Sequence, residues 1–78
     1  MNGNYGDAHY STVFVQDNKQ GYSGLELYRA GRSGKARVAR VLFWDASGQF
    51  FVETFNSDVA LAIMEELIAE TKRTIETK

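Results

Sequence analysis

The chain has no cysteine, no proline and only one histidine among its 78 residues, and no unbroken apolar run approaching a membrane span. Each absence removes a class of protein. Without cysteine there is no disulfide framework. With His9 as the sole imidazole there is no structural zinc set either. Missing proline means that no strand is interrupted by a residue without an amide donor. A transmembrane helix would need about 18 or more consecutive apolar residues. The first residues, Met1 to Asp7, lack the basic and apolar regions of a signal peptide, and Asn2 stands where myristoylation requires glycine. The expected location is the cytoplasm, which cysteine-free composition suits.

What is present is 44% hydrophobic and 24% charged, ordinary proportions for one folded globular domain. A domain of this size buries only about 60–65% of its unfolded surface, so its stability margin is narrow. With disulfides and metals set aside, self-association is the usual means of widening it.

Residues 1–9, rich in Asn and Gly, read as a flexible tail ahead of a single domain over 10–78. Tyr10–Gln16 is β-branched and aromatic, and reads as a first strand. After the polar turn Asp17–Gly21, Leu25–Ala30 alternates Leu25, Leu27 and Arg29 against Glu26, Tyr28 and Ala30, a half-buried strand. Gly31-Arg32-Ser33-Gly34 is a second turn. Ala36–Trp44 and Gln49–Phe55 are the third and fourth strands, joined across Asp45–Gly48.

A helix is expected from Ser57 to about Ile75, with Ser57 as N-cap and Asp58 in the first turn. At 100° per residue, Ala60, Leu61, Ile63, Met64, Leu67, Ile68, Thr71 and Ile75 form an apolar stripe. Glu65, Glu66, Glu70, Lys72, Arg73 and Glu76 lie opposite, and Lys78 adds to the basic C-terminus. The expectation is a ββββα domain of the α+β class: a four-stranded antiparallel meander with one C-terminal amphipathic helix on one face.

The strands around Asp45–Gly48 carry more apolar surface than one helix can cover. With a four-residue loop, Val41 and Phe43 share a face with Phe50 and Val52. Val38, Leu42, Trp44, Phe51 and Phe55 then occupy the other face, crossed by an Arg40–Glu53 pair. With a three-residue loop and a bulge at Gly48, Leu42 and Trp44 change sides and join Phe50 and Val52. In both registers each face stays apolar. Leu42, Phe43, Trp44, Phe51 and Phe55 are therefore the candidate interface, for a homodimer or a protein partner.

Charge is distributed unevenly. Residues 1–26 sum to −2, residues 27–44 to +5 and residues 45–78 to −4. The basic stretch holds Arg29, Arg32, Lys35, Arg37 and Arg40, with Tyr22, Tyr28, Phe43 and Trp44 close in sequence. Basic residues interleaved with aromatics on a sheet can grip phosphates and stack bases, so this hairpin is a candidate single-stranded nucleic-acid site. The plainer alternative is a positive edge that discourages edge-to-edge aggregation.

No catalytic pattern stands out. In Gly31-Arg32-Ser33-Gly34-Lys35, Arg29 occupies the position where a phosphate loop needs its first glycine, and a strand rather than a helix follows the lysine. Leu25 breaks the nucleophile-elbow spacing after Gly21-Tyr22-Ser23-Gly24. His9 has no orienting neighbour in sequence. Turn capping suits Asp45, and a cross-strand ion pair suits Glu53, better than acid–base work. The expectation is a non-enzymatic, self-associating interaction module. No cofactor, metal, membrane or small-molecule substrate is indicated, and nucleic-acid binding is the alternative.

Overall fold

The computed structural model describes residues 1–32 and 34–76. Ser33 in the second turn and Lys78 near the helix end therefore lie outside the described residues. The fold is α+β: five antiparallel strands in the order β1-β2-β3-β4-β5, followed by one helix. The strands are β1 (Asn2–Tyr5), β2 (Ala8–Asp17), β3 (Tyr22–Gly31), β4 (Gly34–Trp44) and β5 (Gln49–Thr54), and the helix is α1 (Leu61–Glu76). No described helix is long and apolar enough to cross a membrane.

The fifth strand comes from the segment expected to be a flexible tail. Asn2–Tyr5 pairs with Ala8–Ser11 across the two-residue loop Gly6-Asp7. Gly6 sits at φ 65°, the positive angle that glycine accepts at the first position of such loops. Polar Asn-Gly-Asn conceals the strand, because β1 is held by ladder hydrogen bonds and by Tyr5 rather than by apolar alternation. The Tyr5 ring meets Tyr10 edge-on at 5.7 Å, and its hydroxyl donates to Glu66 on α1 at 2.8 Å.

The four-residue loop is the one adopted. Trp44 pairs with Gln49, Phe43 with Phe50, Val41 with Val52 and Arg40 with Glu53. Leu25 and Leu27 face the helix and, with Tyr10, Val38, Ala39, Val41, Ile63 and Leu67, make the core. One expectation fails at Val38. Leu27 pairs with Ala39 while Tyr28 pairs with Arg37, so Val38 is an extra residue in β4. Val38 and Ala39 both reach the core and are fully buried, so Val38 does not share the face of Leu42 and Trp44. The same inserted residue brings Arg37 and Arg40 onto one face; strict alternation would have parted them.

The helix begins later than expected. Ser57 does not cap it; its hydroxyl donates back to the Phe55 carbonyl at 3.1 Å. Asn56 takes a left-handed φ of 49°, which turns the chain, and the first helical bond runs from Met64 N to the Ala60 carbonyl at 3.0 Å. Ile63, Leu67 and Thr71 are the buried positions, while Leu61 is 75% exposed and does not dock. The Thr71 hydroxyl is satisfied by the Leu67 carbonyl at 2.7 Å. Glu70 turns inward, its carboxylate held by the Met1 ammonium and the Thr12 hydroxyl.

Candidate functional site: the uncovered sheet face

Helix α1 packs on β3 and β4 from one side. Alternation then puts Tyr22, Gly24, Glu26 and Tyr28 of β3 on the opposite side, with Leu42 and Trp44 of β4 and Phe51 and Glu53 of β5. This open face has two halves of different chemistry.

One half is apolar. Tyr22 and Trp44 are cross-strand partners with ring centroids 4.9 Å apart. Leu42 lies opposite side-chain-less Gly24 and is buried, whereas Phe51 on the outer strand is 51% exposed. Trp44, Ala46, Ser47 and Phe51 line a hollow of about 380 Å³. Four of the five expected interface residues, Leu42, Trp44, Phe51 and Phe55, belong to this side. Phe43 does not: the four-residue loop sends it to the helix side, where it meets Phe50 at 5.0 Å.

The other half is an ion-pair lattice. Glu26 is only 8% exposed and accepts from Arg37 Nη1 at 2.8 Å and from the Tyr28 hydroxyl at 3.0 Å, with Arg40 Nη1 at 3.9 Å. Arg40 Nε donates to Glu53 at 2.6 Å. The Phe55 ring lies under both guanidiniums, 4.1 Å from Arg37 and 5.6 Å from Arg40, and Lys35 sits over Tyr28. Such contacts hold planar cations in place and satisfy a carboxylate that would be costly to bury alone. Arg29 is elsewhere: it faces the helix side and donates to the Asp58 carbonyl at 3.1 Å. Arg32 lies near the β3–β4 turn beside Arg29, Asp7 and Tyr10. The five expected basic residues are thus divided between two faces and a turn, and two of them are engaged by carboxylates of the same chain.

Hydrogen bonds to carboxylates also shift two phenols. Donation to Glu26 raises Tyr28, and donation to Glu66 raises Tyr5, above the ordinary phenol value, because ionisation would forfeit the hydrogen bond; desolvation and the like charge of the carboxylate add to the shift. A raised folded-state pKa contributes stability below the free-phenol value, and that contribution is lost as pH climbs through the raised one. Alkaline ultraviolet titration should show Tyr5 ionising later than a free phenol, and Glu66→Gln should shorten the lag.

Among the described residues no three His, Cys, Asp or Glu side chains gather as a metal-binding group. His9 is hydrogen-bonded at the exposed sheet end to Asn4 at 2.9 Å. No family model, curated protein or solved structure matches this chain.

Proposed function

We propose that this chain is a small non-enzymatic assembly module of the cytoplasm that acts by self-association, a second copy resting on the open sheet face. The observation that carries the reading is the half-exposed Phe51 beside Trp44 and Leu42, on a face that the single helix leaves uncovered. Large apolar patches are uncommon on soluble monomers. The strands run four, ten, ten, eleven and six residues; at about 3.4 Å per residue and about 4.8 Å between strands, one face offers roughly 600–700 Å² per copy. A two-fold pair would bury about 1,200 Å² in total, the lower bound of stable specific interfaces. Charge supports the same occupant. The Arg37 and Glu53 side chains are 42% and 51% exposed on one face, so a two-fold arrangement can set each against its opposite on the second copy.

Sedimentation across a concentration series tests the reading. The wild-type chain should dimerise in the micromolar range. Trp44→Lys should weaken the dimer about thirtyfold or more, the equivalent of about 2 kcal/mol for a central aromatic. A wild-type monomer at about 100 µM overturns the reading.

Single-stranded nucleic-acid binding by Arg29, Arg32, Lys35, Arg37 and Arg40 draws less support. Arg37 and Arg40 are already paired with Glu26 and Glu53, and Arg29 lies on the other face. Only Arg32 and Lys35 remain well placed for phosphates, which corresponds to a log–log salt slope of about −1.4 for single strands. A slope near −3 in a salt-titrated binding assay would favour the nucleic-acid reading instead.

A further inference from the structure

We infer that the outer edge of β5 is a seam at which two copies join, strand to antiparallel strand, into one ten-stranded sheet. The choice of a second copy as occupant rests on the self-association reading above; the edge itself is argued from the backbone.

Phe55 N donates to the Val38 carbonyl, and Asp45 N to the Gly21 carbonyl. In an antiparallel ladder, hydrogen-bonded and non-hydrogen-bonded pairs alternate. These two bonds therefore fix which way every peptide group of β5 points. Residues 49, 51, 53 and 55 bond inward to β4. Phe50, Val52 and Thr54 turn their N–H and C=O outward, where no strand of the described residues lies beyond β5. An outward row of this kind is a template for another strand, and natural proteins guard it with short strands, proline, bulges or projecting charge.

The two edges of this sheet differ in that respect. The β1 edge is the short run Asn2-Gly3-Asn4-Tyr5, in which Tyr5 is the one large apolar side chain. The β5 edge is Gln49-Phe50-Phe51-Val52-Glu53-Thr54, without proline or bulge, and with Phe51 and Val52 each 51% exposed on opposite faces. Its one charge, Glu53, is drawn back onto Arg40 of its own chain. The guard is turned inward, and the helix, seated over β3 and β4, does not cover Val52.

A two-fold axis normal to the sheet must pair residues on the same face. Centred on Val52, it sets Val52 opposite Val52 and Phe50 opposite Thr54 of the second copy, so every outward group of β5 finds a partner. Centred on Phe51, Thr54 would meet the Asp45–Gly48 loop and lose its partners. The Val52 register is therefore the one that satisfies the whole edge.

The absence of native cysteine makes the test clean. In the Val52-centred pair the two Val52 Cα atoms lie about 5.5 Å apart, inside the range that a disulfide spans. The two Thr54 Cα atoms lie about 14 Å apart along the strands, outside it. Under mild oxidation, Val52→Cys should give a covalent dimer on a non-reducing gel and Thr54→Cys should not. Val52→Pro removes an N–H that the intrachain ladder does not use, so it should keep the native circular dichroism while weakening association. Equal bridging by both cysteine variants, or none by Val52→Cys, overturns the seam. The double variant Val52→Cys/Trp44→Lys separates the two surfaces. Bridging retained there shows the edge acting without the face. A wild-type dimer that is lost in Trp44→Lys while Val52→Cys never bridges leaves the face contact standing and the seam refuted.

Discussion

Gly24→Ala is expected to destabilise the domain by about 3 kcal/mol, the upper range for forcing extra volume into a packed site. A Cβ at this position would stand 2.0 Å from the Val41 carbonyl oxygen and 2.8 Å from the Leu42 Cα. Both are backbone atoms of β4, so no side-chain rotation relieves the clash; β3 and β4 must separate at the centre of the sheet. A small domain holds a total stability of about 5 kcal/mol, so urea melts should show most of it gone. Gly31→Ala is the control. A Cβ at Gly31 would meet nothing within 4 Å and its φ is not positive, so the same added methyl group should leave the midpoint nearly unchanged. Equal effects at Gly24 and Gly31 would mean that the close approach of β3 and β4 is absent in solution.

Leu67→Ala is the second large effect. Leu67 is fully buried and joins Ile63 to Leu25, Leu27 and Val41 across the helix–sheet contact. Emptying such a site costs about 2–5 kcal/mol, enough to leave the domain partly unfolded near body temperature. Glu65→Ala, on the exposed side of α1, should move stability by no more than about 0.5 kcal/mol. Glu66, which the helical wheel alone offers as an equally inert control, is less suitable because it receives the Tyr5 hydroxyl. Thermal melts in which Leu67→Ala and Glu65→Ala behave alike would reverse the orientation of the helix.

Both predictions bear on what the sequence discloses. The alternation of Leu25 and Leu27 against Glu26 and Tyr28 fixes the two sides of β3, and the structure keeps it. The Arg40–Glu53 pair follows from the four-residue loop alone. The helix is legible from its periodicity over Ile63 to Thr71, since packing obeys the same 3.6-residue repeat that the pattern reports.

Features decided by backbone geometry were not legible. Val38 lies in Ala-Arg-Val-Ala-Arg, where two apolar residues stand together between the arginines; this break in alternation is the one trace of the inserted residue, and the apolar run Val41–Trp44 that follows masks it. Ser57 and Asp58 carry the composition of a helix start, yet Asn56 bends the chain there and the hydroxyl of Ser57 turns back to Phe55. Leu61 fits the apolar stripe, but it precedes the point where the helix meets the sheet. For β1 a signal did exist: Gly6-Asp7 between two short runs is a two-residue hairpin loop, and the polar flanks masked it. In the candidate site, Trp44, Phe51 and Phe55 were legible as aromatics of the open face, whereas Phe43, expected among them, is sent to the helix side by the loop length. The division of the basic cluster was not, because it depends on the bulge.

The order of elements along the chain also has a temporal consequence. Each strand pairs with its sequence neighbour, so hairpins can close within about 1–10 µs of their residues becoming available. The helix that covers Leu25, Leu27 and Val41 follows all of them. At a synthesis rate of about 5–20 residues per second, the stretch from Thr54 to Glu76 takes seconds to appear. During translation the residues of the sheet's inner face are therefore made before those that will cover them, and any that leave the ribosome early do so uncovered.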